Sequence, residues 1–279
     1  MPQLPLFPVT VVGSWPRPPW LLEALRQHRA GRLSSEALRK AGDKAVLEAL
    51  RHQEDAGVDI VSDGEQRRDN FYSFVAEKLE GVRLMTLAEM MDIVEDRAYF
   101  DQVLRQLDVP AYAISNPTVV GKVKPRRPLA LDDFEFLRRH TQKPIKVTLP
   151  GPYLLTRSMW VKGLSDQAYP TREALAQDVV AILREEVLRL RDAGAAFVQL
   201  DEPVLSEVAL RPRTTVRTFM CAAIAVSAED PAAELLWATQ LVNAVVGDTK
   251  DIRLGGPAPG RGSRLSSETW RTTGSEVGP

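Results

Sequence analysis

The stretch Ala195-Ala-Phe-Val-Gln-Leu-Asp-Glu-Pro203 constrains this chain more than any other. Its first residues, Ala195 to Val198, are small and apolar and suit a strand covered on both faces, while Pro203 cannot donate to a continuing ladder. Asp201 and Glu202 therefore fall where the strand stops. In parallel α/β folds ligands bind at the carboxyl ends of strands, which makes an acidic pair there a site candidate. The plain alternative is a strand-end acid that caps the following turn.

The rest of the chain alternates in the same grammar. Residues 8–13, β-branched and ending in Gly13, read as a short buried strand, followed by the stiff loop Ser14-Trp15-Pro16-Arg17-Pro18. Helices are expected over 19–28, from a cap at Ser34 or Ser35 to Gln53 with a stop at Gly57, over 71–79 and 131–140, from Thr171 to Ala193-Gly194, and over 231–246. Further strands are expected over 58–65, 118–123 and 144–149, with another starting at Asp251. Residues 81–116 have weak periodicity and fit an inserted hairpin or a helical excursion. Regular alternation of strand and helix argues for a parallel sheet and an α/β fold class. Two of these strands end in acid, at Glu65 and Asp201, so the two carboxylates could converge on one mouth and hold an ammonium or position a proton. Tyr153 and Trp160 follow the rigid Pro150-Gly151-Pro152 and offer aromatic faces to a flat ligand, or simply cover the core.

Composition narrows the function classes. The chain of 279 residues is 44% hydrophobic and 26% charged, with a formal net charge of -1, so nothing in it calls for nucleic acid or an anionic membrane as partner. Its single cysteine, Cys221, rules out an internal disulfide and fits a reducing compartment. No apolar run approaches the ~20 residues of a spanning helix, and the expected location is cytoplasmic. From Gly255 the chain turns to Gly, Pro, Ser and Thr without hydrophobic period, and residues 255–279 are expected to be a disordered tail that follows a truncation or reading-frame change.

Taken in order, Val11-Val-Gly-Ser-Trp-Pro16, Asp59-Ile-Val-Ser-Asp-Gly-Glu-Gln66, Lys146-Val-Thr-Leu-Pro-Gly-Pro152 and Gln199-Leu-Asp-Glu-Pro203 resemble the catalytic, C-terminal domain of cobalamin-independent methionine synthase in a short stand-alone form. The resemblance implies a (β/α)8 TIM barrel over residues 1–254, incomplete at its C-terminal end, with the site at the carboxyl ends of the strands. It implies methyl transfer from 5-methyltetrahydrofolate to homocysteine to form methionine, with these small molecules as partners. Carried over residue by residue, Ser14 would hold the homocysteine carboxylate, Glu65 and Asp201 its ammonium, and Trp160 would face the folate. The family uses zinc to hold a thiolate nucleophile, through a His-x-Cys, a Glu and a second Cys. This chain has no histidine after His140 and no cysteine after Cys221, so no catalytic or metal-ligating residue is assigned and the chain as written is expected to be inactive. Two other functions stay open: a non-catalytic homocysteine- or folate-binding protein, and a related zinc-dependent thiol alkyltransferase.

Overall fold

The computed structural model describes residues 4–86, 89–90, 115–210, 230–249 and 253–255. Helix α1 (Pro19–Arg29) begins with proline at its first position, where a missing N–H costs nothing. Helix α2 (Ser35–Asp55) is capped by Ser34, whose hydroxyl accepts from Ala37 N, and buries Ala45, Val46, Ala49 and Leu50 on one face. A short helix α3 (Val75–Lys78) leads directly into strand β1 (Leu79–Thr86), which is followed in order by β2 (Ser115–Pro125), helix α4 (Leu131–Arg138), β3 (Lys146–Pro150) and helix α5 (Pro152–Met159). The long helix α6 (Arg172–Ala193) is capped by Thr171 and stopped by Gly194 at φ 94, a left-handed conformation that favours glycine. It is followed by β4 (Phe197–Asp201), α7 (Pro203–Leu210), α8 (Pro231–Val246) and β5 (Arg253–Gly255).

The sheet that carries the site is parallel. Strands β3, β4 and β5 lie side by side in that order, with Thr148 opposite Gln199 and Pro150 opposite Asp201. Two parallel bridges extend the succession to the N-terminal side, Thr10 to Ile60 and Val61 to Ile145. Helices α5, α6 and α8 cover it with Leu154, Leu155, Val179, Leu183, Val187, Leu241 and Val245. Among the described residues this parallel array does not close into a barrel.

Three expectations are corrected. Residues 8–13 are not a buried strand: only Thr10 bridges a neighbour, and Val9 and Val12 are exposed. Residues 118–123 do not join the parallel sheet but belong to β2, which pairs antiparallel with β1 in a separate two-stranded ribbon. Its register slips between Glu80 and Val82, where Gly81 (φ 73) lies so close to the Lys122 carbonyl that no Cβ would fit. The helix expected over 71–79 is confined to Val75–Lys78, and Leu79 already pairs with Pro125. The expected tail, apart from Gly255 at the end of β5, and Cys221 lie outside the described residues.

Candidate active site

The segments after Thr10 and Val61 and the carboxyl end of β4 bring polar residues together. After Val61 the backbone turns sharply, and α2 fixes that turn: the buried Gln53 side chain accepts from Ser62 N and donates to Ser62 O, both at 2.9 Å. Asp63 Oδ1 then accepts from Glu65 N at 3.0 Å. Glu65 itself takes φ 57, a left-handed conformation strained for a residue with a Cβ. The turn is also tied to the N-terminal loop. Trp15 N donates to Gly64 O at 3.0 Å, Gln66 Nε2 donates to Trp15 O at 2.7 Å, and a Cβ on Gly64 would stand 2.7 Å from the Cβ of Trp15. This close approach lets the exposed Ser14 donate its hydroxyl to the buried Glu65 Oε2 at 2.6 Å.

Asp201 arrives from β4, and its exposure is 6%. Burial pushes its carboxyl up to about 6, against the Gln199 hydrogen bond and the charges of Arg68 and Lys146. Gln199 Nε2 donates to Asp201 Oδ1 at 2.7 Å, and Lys146 Nζ donates to Gln199 Oε1 at 2.9 Å. Lys146 also donates to the Val11 carbonyl. Burial lowers this ammonium to about 8, opposed by Asp201, Glu65 and Asp63. Loss of hydration likewise raises Asp63, against the opposing charge of Arg68. The result is a buried cluster of Asp63, Glu65 and Asp201 against Lys146 and Arg68. The half-buried Arg17, which donates to the Glu65 and Arg68 carbonyls, also acts on Glu65, so three carboxylates face three cations. Within this cluster, Asp63 Oδ2, Glu65 Oε1 and Arg68 Nε and Nη1 have no hydrogen-bond partner among the described residues. Buried polar atoms left unpaired are costly, and a buried carboxylate with a free oxygen can take an arriving donor.

Glu202, adjacent in sequence, faces away. Alternation along a strand sends consecutive side chains to opposite faces, and Glu202 Oε1 and Oε2 accept from Tyr153 N (2.7 Å) and Leu154 N (2.8 Å) in the first turn of α5. Glu202 as a residue is only partly buried, but its carboxyl end is covered by that turn, and the loss of hydration pushes it up to about 8. Of the acidic pair, then, Asp201 faces the cluster and Glu202 fastens β4 to α5.

Of the residues singled out in the sequence, Ser14 and Glu65 are in contact, and Asp201 shares their charge cluster. Trp160 is not brought to that cluster. It follows the C-terminal end of α5, its ring N–H donates to Tyr169 O at 2.9 Å, and its body packs on the core. Tyr153 is fully buried, and its hydroxyl donates to Glu234 Oε2 at 2.6 Å. Sequence reasoning missed Lys146, Gln199, Asp63 and Arg68. The available signal was a lysine and a glutamine inside strands otherwise made of core residues, where a polar side chain needs a partner.

A parallel β/α sheet with a buried cluster of ionisable side chains against it defines the class as an α/β protein. The comparisons place it further. Residues 7–233 match the family model of the cobalamin-independent synthase catalytic domain, and the chain belongs to that family. It is 36% identical over 207 residues to the methionine synthase of Sulfurisphaera tokodaii, covering 74% of this chain and 54% of that protein. It is 34% identical over 206 residues to the methionine synthase of Saccharolobus solfataricus, covering 74% and 55%. The chain thus spans about half the length of the curated relatives it matches. Among solved structures it resembles a B12-independent methionine synthase from Shewanella sp. W3-18-1 in complex with selenomethionine. There the TM-score is 0.61 and the identity 26%, covering 96% of this chain and 66% of that one. It shares the fold of a putative vitamin-B12 independent methionine synthase from Listeria monocytogenes, with a TM-score of 0.60 at 19% identity, covering 91% of this chain and 65% of that one. These neighbours have a TIM-barrel-like fold.

Zinc, which the family resemblance implies, does not fit the described residues. No group of three or more His, Cys, Asp or Glu is placed among them to hold a metal ion. His28 and His140 each engage a backbone carbonyl through Nδ1 at 2.8 Å, and His52 stacks on Trp15. The acidic cluster already contains Lys146 and Arg68, whose charges oppose a metal cation.

Proposed function

We propose that this chain is a homocysteine-binding methyltransferase domain that takes a methyl group from 5-methyltetrahydrofolate, as a polyglutamate, and passes it to the homocysteine sulfur to form methionine. The observation that carries this reading is the buried Glu65 carboxylate, with Oε2 held by the Ser14 hydroxyl and Oε1 free, set in the same charge cluster as Asp201. An α-ammonium brings a positive charge and several N–H donors to the free Oε1 of Glu65. The related protein seen with selenomethionine, an amino acid of the product type, supports the same choice.

In this reading the ammonium lies between Glu65 and Asp201. Its arrival gives Glu65 a replacement donor, so the Ser14 hydroxyl is released to turn toward the ligand carboxylate. The side chain then carries sulfur outward. Transfer forms the S–CH3 bond and breaks the N5–CH3 bond of the folate, whose electron pair stays on N5 and takes up a proton in place of the one the thiol gives up, leaving tetrahydrofolate. Trp160 is the proposed contact for the folate rings. It stands one helix length beyond the strand end, about 12 Å for eight residues, within reach of an extended folate rather than of the amino acid. Among the described residues no step is routed through zinc. The fold proposed for the whole domain is the TIM barrel of its neighbours, and the proposed location is the cytoplasm. No helix among the described residues is long and apolar enough to cross a membrane.

The test is calorimetric titration of the purified chain with L-methionine and with 5-methyltetrahydrofolate triglutamate, followed by a single-turnover assay for methionine. Binding of both ligands supports the reading. Absence of L-methionine binding overturns it. Binding without turnover favours the non-catalytic alternative, for which the zinc mismatch is the specific observation.

A further inference from the structure

We infer that Lys146 and Gln199 form a relay that orients Asp201 toward the amino-acid ammonium and, through the Val11 carbonyl, registers the Ser14 loop against it. The inference rests on the amino-acid-binding role proposed above. Its geometric basis is a chain of donors running one way. A lysine ammonium can only donate, so Lys146 Nζ, bonded to Gln199 Oε1 at 2.9 Å, dictates which end of the Gln199 amide faces it. The other end, Nε2, must then face Asp201 and donates to Oδ1 at 2.7 Å. Among the described residues the second oxygen of Asp201 has no hydrogen-bond donor, and it is left for the ligand. Without Lys146 the amide is free to turn over and present a carbonyl oxygen to the carboxylate, which repels it.

The same ammonium holds the Val11 carbonyl, three residues before Ser14. One buried charge therefore joins the N-terminal segment, β3 and β4. A lysine at 2% exposure loses most of its hydration, and two of its three donors are engaged, by the Val11 carbonyl and Gln199 Oε1. Around Asp201 the charged groups are Glu65, Arg68 and Lys146, and around Lys146 they are Asp201, Glu65 and Asp63. Lys146 and Gln199 are positioning residues, since the relay reaches the ligand only through Asp201 and the loop.

The experiment is titration of L-methionine into the wild-type chain and the variants K146M, Q199L and K146M/Q199L between pH 5 and 8, with a thermal melt of each. The relay predicts that Q199L and K146M each weaken binding about ten- to hundredfold, the range for a lost hydrogen bond to a charged group. It predicts that the double variant is no weaker than the worse single, and that the pH below which affinity falls moves upward in both singles. A packing role would leave that midpoint in place. Fold losses that multiply in the double variant, or an unmoved midpoint in Q199L, overturn the relay. Should K146M fail to fold, Q199L alone decides by its affinity and its midpoint. If the wild-type chain does not bind L-methionine, the amino-acid-binding role itself has failed. If it binds and the variants bind equally well, only the relay has failed.

Discussion

Gly151 is predicted to be intolerant of a single methyl group, for a reason confined to one neighbour. Its backbone is ordinary, φ -74 and ψ 157, so alanine meets no torsional strain there. A Cβ would instead overlap Cγ, Cδ and Oε1 of Glu202. That side chain is not a loose end, because its two oxygens accept from Tyr153 N and Leu154 N. In G151A the carboxyl group must leave, and the first turn of α5 loses its only side-chain acceptor among the described residues. Two buried N–H groups left without acceptors cost about 1–3 kcal/mol each, so G151A should lose about 2–6 kcal/mol, a large share of the roughly 5–15 kcal/mol that holds a domain together. E202A should lose a similar amount by the same route. The decisive variant is G151A/E202A. With the carboxyl gone, the methyl has nothing to strike, and the double variant should be within about 1 kcal/mol of E202A. Urea denaturation of the four proteins at one pH measures the coupling. Additive losses, or a G151A protein as stable as wild type, would refute the reasoning.

Other consequences can be checked on the same protein. Asp201 is raised to about 6 in the fold from an ordinary 3.8, so its contribution to stability is full below about pH 4 and is lost as pH rises through about 6. D201N, which stays neutral, should therefore melt at a higher temperature than wild type at pH 8, lose this advantage at pH 4, and fail to bind L-methionine; a lower melting temperature at pH 8 contradicts the account. Glu234 accepts from the Tyr153 hydroxyl and pairs with Arg157 (3.0 Å) and Arg172 (3.3 Å) where α8 meets α5. Denaturation of E234A should show a loss of about 1–3 kcal/mol, since the buried Tyr153 hydroxyl loses its charged acceptor. Finally, G194A places a Cβ in the left-handed cap of α6 and should cost about 1–2 kcal/mol by thermal melting, with no effect on ligand affinity.

The helices that the sequence located well are those with local punctuation. Thr171 and Gly194 bracket α6, Ser34 caps α2, and Asp230 accepts from Ala232 N and Ala233 N at the start of α8. Caps act over a few residues, so they are visible without the rest of the fold. The ribbon was only one of two options for residues 81–116, because β1 is half-exposed with no clean alternation and its partner strand begins only at Ser115. Residues 8–13 misled for the opposite reason: valines have strand propensity, but burial is decided by neighbours, and here few arrive. The site shows the same division. Ser14, Glu65 and Asp201 follow apolar runs that read as strands in the sequence, where position alone marks them. Lys146 and Gln199 lie inside strands, and their meeting depends on the β3–β4 register, which sets Lys146 opposite Phe197 and Thr148 opposite Gln199.

The central claim is that the corner made by Ser14, Glu65 and Asp201 receives an ammonium. The most direct measurement compares L-methionine with 4-(methylthio)butanoate, the same molecule without its amino group, by calorimetry on the wild-type chain. The account predicts that L-methionine binds and that the deaminated analogue binds at least about a hundredfold more weakly, the scale of a charged hydrogen bond to a buried carboxylate. Equal affinity of the two compounds would contradict it.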